Sequence, residues 1–290
     1  ETRYIINAAG ISAQAVHDMA APHKFTIQPT RGEYYLLDKS EGSRVHHVIF
    51  QCPNENGKGV LVAPTVHGNL IVGPNADPVE VDDTACTAAG LAFVSAAARR
   101  SVPNIRFSES IRNFAGVRAN VDTGDFVIGA AERAPGFIDL AGMKSPGLSS
   151  APAVAREAVK ILEAHGDLPA PKADYRDGRT RVRFKELPRE ETAGLIAKEP
   201  AYGRVICRCE TITEGEILDA LQSEIPAVSI DGVKRRCNAG MGRCQGGFCG
   251  PRVLELISKT LGISPLDVLQ DKAGTNVLLC ETKQEGEHHD

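Results

Sequence analysis

Apolar positions fall along this chain in short blocks, and their spacing changes character twice. Between Tyr4 and Val72 they form brief runs: Tyr4-Ile5-Ile6, Tyr34-Tyr35-Leu36-Leu37, Gly59-Val60-Leu61-Val62 and Leu70-Ile71-Val72, most of them bounded by Gly, Pro or Asp. Runs of that length with that punctuation predict β-strands. Alanine-rich Thr84 to Ala98, stopped by Pro103, predicts a helix, and Val154 to Leu162 predicts an amphipathic one. The apolar positions then thin out. Pro169, Pro171 and Pro188 flank a charged run, Arg176 to Arg183, and predict a linker lying over a surface. Past Tyr202 the helical period returns with explicit start and stop signals. Thr213-x-x-Glu216 is a capping box before Ile217 to Leu221, Pro251 opens the run Val253 to Leu261, and Gly262 closes it. Ser264-Pro265 predicts the start of another helix. The expected organisation is a mixed α+β region over residues 1–165, a linker over 166–200, a small helical cysteine-rich unit over 201–275 and a charged tail over 276–290.

Composition narrows the classes. The 290 residues suffice for one large or two modest domains, and 42% hydrophobic residues support packed cores. A net charge of −4 argues against a nucleic-acid-binding surface. No apolar run approaches the roughly 20 residues of a membrane span, and no signal peptide is visible. Eight cysteines without an export signal point to reduced thiols with a metal or redox role in the cytoplasm. Glu1 leads directly into an apolar strand, which reads as a chain cut from something longer.

The cysteines carry the sharpest chemical signal. Cys207 and Cys209 form C-x-C, and after 34 residues Cys244 and Cys249 form C-x4-C, with Cys237 between the pairs. Zinc sites commonly use C-x2-4-C pairs with histidines, yet no histidine lies between Cys207 and Cys249. Four thiolates also suit a [2Fe–2S] cluster. Five glycines between Asn238 and Gly250 suit a loop that brings backbone N–H groups to sulfur. Arg208, Lys234, Arg235, Arg236 and Arg243 flank the cysteines in sequence and either offset cluster charge or are solvated surface groups. Cys249 precedes a helix N-terminus, where the dipole favours a thiolate.

In the first region, Ile5-Ile6-Asn7-Ala8-Ala9-Gly10 followed by a helix through Val16 and Met19 predicts a strand–turn–helix whose small residues admit a dinucleotide. Gly142-Met-Lys-Ser-Pro-Gly-Leu-Ser-Ser150 feeds the helix from Ala153 to Leu162. Its N-terminus offers N–H groups and a positive dipole end to an anionic oxygen such as a flavin's pyrimidine oxygen; a plain capped helix after a surface loop reads the same way.

Two resemblances follow from these residues. The segment "CRCE" with "ITEGEI" and "KRRCNAGMGRCQGGFCGPRV", over residues 204 to about 270, resembles the bacterioferritin-associated-ferredoxin-like [2Fe–2S] domain. In particular it resembles the version fused to FAD-dependent dehydrogenases. That resemblance implies Cys207, Cys209, Cys244 and Cys249 as ligands and leaves Cys237 outside the set. "INAAG", "PTRGEYYLLDK" (29–39), "GVLVAPTVHGNLIVGP" (59–74), "FAGVRA" (114–119), "DTGDFVIG" (122–129) and "GFIDLAGMKSPGLSSAPA" together resemble the D-amino-acid-oxidase-like FAD-dependent oxidoreductases. The similarity is greatest to their glycerol-3-phosphate and 2-hydroxyglutarate dehydrogenase branch. The family's opening G-x-G-x-x-G loop is not found; Gly240-Met-Gly242 is its nearest imitation, with Gln at 245. The expected fold is therefore a partial FAD-dependent oxidoreductase fold followed by a small helical [2Fe–2S] domain, in a C-terminal fragment that would bind FAD weakly by itself.

What the resemblance implies about function is an FAD-dependent dehydrogenase oxidising glycerol 3-phosphate. A [2Fe–2S] cluster would pass its electrons to a partner subunit or quinone-linked carrier. An amino-acid or amine dehydrogenase of proline or opine type, a 2-hydroxy-acid dehydrogenase, and a non-catalytic ferredoxin-like module remain as alternatives. Flavin contacts are expected at Asn7, Ala8, Ala9, Gly10, Gly142, Ser145, Pro146, Gly147, Leu148 and Ser149. Arg118 matches the family's Gly-x-Arg position for the small anionic substrate and is expected at a strand end, with Gly116 clearing space. Arg31 is a second anion candidate or a structural ion-pair partner. His67 is a candidate general base or a turn histidine before Gly68. His46 and His47 are expected to face solvent, and His288 and His289 belong to the charged tail.

Overall fold

The computed structural model describes residues 2–53, 59–80, 83–134, 136–166, 170, 172–175, 178 and 181–283. The chain divides into two compact units, Glu1–Tyr175 and Arg176–Asp290. The segment 284–290, with His288 and His289, and most of the charged run 176–180 lie outside the described residues.

The first unit is built on two sheets. In one, β1 (Ile5–Asn7) runs parallel to β8 (Phe137–Ala141), which pairs antiparallel with β7 (Val127–Ala130). Helix α1 (Ala13–Asp18) leaves β1 through a short 3-10 turn, Gly10–Ser12. Helix α3 (Gly147–His165) follows β8. A buried network ties β1, α1 and β8 together. Asn7 Nδ2 donates to Asp139 Oδ1 at 2.8 Å and to the Ala13 carbonyl at 2.9 Å. His17 Nδ1 lies 2.8 Å from Asp139 Oδ2, and its Nε2 lies 2.9 Å from the Pro22 carbonyl. His17 thus bridges the Asp139 carboxylate and the Pro22 carbonyl, and both carboxylate oxygens have partners.

The other sheet has β2 (Ile27–Leu37) as its spine. On one side β2 pairs with β4 (Leu70–Gly73) and the short β5 (Asp77–Pro78), and β3 (Leu61–Pro64) completes that edge. Along its other side runs β6 (Ser110–Val121), in register from Ile27↔Val121 to Leu37↔Ser110. Helix α2 (Ala88–Ser101) covers this sheet through Val94, Ala97 and Ala98 against Leu37, Val62, Leu70 and Val72. α2 starts at Ala88 rather than Thr84, because the Thr87 hydroxyl accepts from the Gly90 N–H and caps it. β2 is longer than the apolar run at Tyr34–Leu37 suggested, because its first half alternates polar and small residues that find cross-strand partners only in β6.

Buried carboxylates stitch this sheet to its surroundings. Glu41 is fully buried and accepts from Arg44 Nε (2.9 Å), Arg106 Nε (2.7 Å) and the Arg106 backbone N–H (3.1 Å). Burial alone would raise its pKa, but the hydrogen bonds from Arg44 and Arg106 win and hold it at about 2. A folded pKa below the unfolded one stabilises the fold above about pH 4.5, and that stability drains away as pH falls towards about 2. The shift corresponds to something on the order of 3 kcal/mol. Urea unfolding between pH 5 and 2 is expected to show that loss, and Glu41→Gln should flatten it. A Glu41→Gln protein with the unmodified acid slope would assign the loss elsewhere.

The second unit is helical. Helix α4 (Arg189–Lys198) and a turn at Phe184–Glu186 occupy part of the stretch read as linker; α4 has no fully buried residue, which is why no apolar stripe announced it. A two-stranded ribbon, β9 (Val205–Cys207) with β10 (Ile212–Thr213), leads into α5 (Glu214–Gln222), whose capping box of Thr213 and Glu216 is complete. Helix α6 (Ile230–Cys237), capped by Ser229 and ended by left-handed Asn238, had no strong sequence signal. Helix α7 (Gly250–Leu261) ends at left-handed Gly262. The expected helix at Ser264-Pro265 is a single 3-10 turn, Pro265–Asp267, because the chain leaves it to bury Val268. Ile206, Ile212, Ile217, Leu221, Val233, Val253 and Ile257 form the core, and Cys207, Cys237 and Cys249 are buried within it.

Candidate functional site

Two sites emerge, one in each unit. In the second unit the C-x-C turn leaves β9 and meets the glycine-rich loop between α6 and α7. All eight cysteines are free thiols. Cys209 and Cys244 Sγ lie 3.7 Å apart and are exposed. Cys207 and Cys249 are buried and hydrogen-bonded through their side chains. That bond from Cys249, helped by the backbone N–H groups of Gly240 and Glu210, outweighs burial and lowers Cys207 to about 6; the same bond, with burial, raises Cys249. Cys244 is lowered chiefly by the Phe248 backbone N–H, with the Cys209 side chain and Gly246 N–H assisting. Gly242 lets the loop close: a Cβ there would lie 2.2 Å from Cys209 Cβ.

The thiols thus come as two pairs. Two sulfurs on one tetrahedral metal, each about 2.3 Å from it, lie about 3.8 Å apart, so the Cys209–Cys244 separation is that of two ligands on one metal. Among the described residues, no three His, Cys, Asp or Glu side chains converge as they would on a single ion. Two pairs, with backbone N–H groups turned to sulfur, fit a two-iron cluster better than one zinc. Cys237 turns away: its Sγ donates to the Val233 carbonyl at 3.3 Å, and burial pushes its pKa up to about 11.

The flanking cations do not all gather at the thiols. Arg208 lies over the Phe248 ring, 4.8 Å from its centroid, beside the exposed pair. Lys234 pairs with Asp231 and Arg235 with Asp271, while Arg236 donates to the Gly232 and Ile225 carbonyls. Each of these three is thus held by partners within the second unit, and Lys234 also lines a cavity with Cys249.

In the first unit, a cavity of about 810 Å³ is lined by Gly10, Val117–Ala119 of β6 and the 143–149 loop. It brings together Gly10, Ser145, Pro146, Gly147, Leu148, Ser149 and Arg118. Gly10 has φ +60° and open space where a Cβ would stand. α3 has no side-chain cap, and the Ser149 and Ser150 hydroxyls turn back to the Pro146 carbonyl. The first-turn N–H groups of Leu148 and Ser149 therefore have no partner among the described residues and meet the cavity with the positive end of the helix dipole. These features fit an electron-rich heterocycle.

Other expected residues are placed differently. Asn7 serves the buried Asp139 network, and Ala8 and Ala9 are not among the cavity's lining residues. Gly142 has φ +72°, and an added Cβ would also lie 2.9 Å from Val121 Cγ2. His67, the candidate general base or turn histidine, is exposed on the Thr65–Asn69 turn between β3 and β4 and is not among the cavity's lining residues. Arg31 is buried and paired with Glu33 (3.2 Å) and Asp83 (2.5 Å), as a structural ion-pair partner would be. Arg118 sits inside β6, not at its end, opposite Thr30. Its Nη1 and Nη2 donate only to the Asn75 carbonyl, at 3.3 and 3.4 Å, and it has no carboxylate partner among the described residues.

Residues 1–161 match the family described as FAD dependent oxidoreductase. The chain belongs to the FAD dependent oxidoreductase family. Residues 205–259 match a second family, the BFD-like [2Fe-2S] binding domain. The oxidoreductase part and this domain together are similar to a glycerol 3-phosphate dehydrogenase of Caloramator mitchellensis, 46% identical over 288 residues, 98% of this chain and 60% of that protein. One of the subunits that make up the anaerobic glycerol-3-phosphate dehydrogenase of Escherichia coli K12 is 24% identical over 88% of this chain and 52% of its own length. The FAD-bound L-alpha-glycerophosphate oxidase structure from Mycoplasma pneumoniae superposes with a TM-score of 0.50 at 36% identity, covering 55% of this chain and 42% of that one. The chain thus spans between two fifths and three fifths of these relatives. The fold is the α+β fold of the FAD dependent oxidoreductases with a [2Fe–2S] domain after it, and FAD and a [2Fe–2S] cluster are the cofactors of these two families.

Sequence reasoning missed five of the cavity's lining residues, Ile11, Val117, Ala119, Met143 and Lys144, of which only Lys144 is charged. Lys144 lines the cavity beside Arg118 and is half-buried, with no ion pair among the described residues. The signal was present, since a lone lysine stood in the Gly142–Ser150 loop, but only the fold placed that loop against β6. Among the described residues no helix is long and apolar enough to cross a membrane.

Proposed function

We propose that this chain is the substrate-binding and electron-exporting part of an FAD-dependent glycerol-3-phosphate dehydrogenase. The observation that carries the reading is the similarity that runs unbroken through both units to the Caloramator mitchellensis enzyme, over 98% of this chain. The cavity supports it. Arg118 and Lys144 supply two cations without carboxylate partners, matched to a phosphate dianion, whereas an amino-acid substrate would bring a single carboxylate. The cysteine unit supports a dehydrogenase over an oxidase, because export to a partner needs a one-electron carrier and transfer to oxygen does not.

Bound FAD would accept the substrate's hydride, and a bound [2Fe–2S] cluster would release the two electrons one at a time. The chain's own residues do the holding. Arg118 grips the phosphate through its guanidinium fork, Lys144 adds a second cation, and the Leu148 and Ser149 N–H groups face the anionic edge of the heterocycle. Cys207, Cys209, Cys244 and Cys249 bind the two irons, two thiolates each. The Escherichia coli relative is one component of a multi-subunit enzyme, which supports an electron-accepting partner for this protein too. Cytoplasmic placement, at most peripheral to a membrane, follows from the same reading.

Anaerobic addition of glycerol 3-phosphate to the cofactor-loaded protein is expected to bleach the flavin band and then produce the rhombic signal of a reduced cluster. L-Proline, an opine and 2-hydroxyglutarate should leave both unchanged. Bleaching by one of these, and not by glycerol 3-phosphate, would move the enzyme to the rival class. With bound FAD verified beforehand, a protein that no donor reduces would leave only the electron-transfer module.

A further inference from the structure

We infer that Gly32 is the berth of the Arg118 guanidinium and is therefore a positioning residue for the substrate's anionic end; the inference rests on Arg118 holding that anion. Arg118 faces Thr30 across the β2–β6 ladder, and Gly32 faces Gly116 one pair further along the same face. The Arg118 side chain does not stand off the sheet. It lies along it, over Gly32, and reaches the Asn75 carbonyl beyond. A Cβ at position 32 would be 2.1 Å from Arg118 Nη2, 2.8 Å from its Cζ and 2.9 Å from Pro74 Cβ. No side chain, not even a methyl, fits there while the guanidinium stays.

Backbone conformation does not explain this glycine, because Gly32 is not in the left-handed region. Sheet stability argues against it, since a glycine inside a central strand weakens it. Its cross-strand partner Gly116 gives the contrast: nothing lies within 4 Å of a Cβ there. The slot at position 32 is thus filled chiefly by the guanidinium, with Pro74 Cβ at its edge.

The far end of the berth is fixed as firmly. Asn75 is buried. Its Oδ1 accepts from the Glu33 N–H at 2.7 Å, and its Nδ2 donates to Asp77 Oδ2 at 2.7 Å. The side chain so held aims the Asn75 carbonyl at the guanidinium. A carbonyl orients a cation without cancelling it. Arg31, one residue before Gly32, shows the other outcome: two carboxylates neutralise it. Gly32 and Asn75 together thus place a full positive charge and keep it available, and the long bonds of 3.3 and 3.4 Å let the fork re-aim onto a phosphate.

The test is a double-mutant cycle in the flavin-loaded protein, read as KM and kcat for glycerol 3-phosphate and as a calorimetric Kd for inorganic phosphate. Gly32→Ala is expected to raise KM and the phosphate Kd about tenfold, near the effect of Arg118→Lys, with kcat changed far less. In an Arg118→Ala background the same change should add nothing, because the group it displaces is already gone. Gly194→Ala, exposed on α4 and not among the cavity's lining residues, should leave both constants alone. If Gly32→Ala is destabilised, adding Arg118→Ala, which empties the slot of everything but the Pro74 contact, should recover stability relative to the single variant. Unchanged constants in Gly32→Ala beside a damaged Arg118→Ala, additive effects in the cycle, or a double variant no more stable than Gly32→Ala would each overturn the berth. A silent Arg118→Ala would overturn the anion site itself.

Discussion

Arg118→Ala in the flavin-loaded protein is expected to raise KM for glycerol 3-phosphate by at least about a hundredfold, the equivalent of roughly 3 kcal/mol for a desolvated charge pair that loses one partner. The phosphate dianion loses most of its hydration on entering a cavity of about 810 Å³ and needs a paired cation in return. Arg118 meets that need because its only partner among the described residues is the neutral Asn75 carbonyl. Lysine keeps the charge but loses the second parallel N–H, so Arg118→Lys should fall between the parent and the alanine variant. Because the anion is held in ground state and transition state alike, the loss should appear mainly in KM rather than kcat. Steady-state kinetics check this, with the flavin absorption and the iron content as controls that should not move. Unaltered kinetics would transfer the anion site to Lys144, since Arg31 is already neutralised by Glu33 and Asp83.

Replacing any one of Cys207, Cys209, Cys244 or Cys249 by serine is expected to abolish the cluster, while Cys237→Ser keeps it. The parent protein, purified without oxygen, should be brown and carry about two irons per chain. Each of the four proposed ligands stands in a pair, and losing one would leave an iron with a single protein thiolate. Cys237 differs in every respect that matters for ligation. Its thiol donates to the Val233 carbonyl of its own helix, and burial raises it to about 11, so the thiolate a metal requires is disfavoured there. Serine in its place can make the same hydrogen bond to Val233. Iron analysis and the spectrum of the reduced protein decide the matter. A colourless Cys237→Ser beside a brown Cys244→Ser would exchange those two residues in the ligand set. Stoichiometric zinc in place of iron would remove the electron-transfer role.

What could be read from the sequence was whatever is decided within a few residues. The capping box at Thr213 and Glu216, Pro251 at the start of α7 and Gly262 at its end act within one helical turn, and each is where the spacing placed it. The C-x-C and C-x4-C pairs were visible for the same reason: tight turns constrain their neighbours. The weak elements were those that lacked a local stripe. α4 buries no residue fully, and the first half of β2 is legible only through its partner β6.

The site chemistry lay beyond that range. Arg31 and Arg118 each stand near a glycine, and the sequence offered both as anion holders. Only the register of β2 against β6, and the arrival of Glu33 and Asp83 at one and the Asn75 carbonyl at the other, separates a cancelled charge from an available one. Gly116 was expected to clear space and has open space where a Cβ would stand, but the occupied slot over Gly32, on the neighbouring strand, could be seen only in the fold. Likewise Cys209 meets Cys244 and Cys207 meets Cys249, pairings that the order of cysteines along the chain does not contain. Charge and coordination depend on which groups come within a few ångströms of one another, and for residues dozens of positions apart the fold alone decides that.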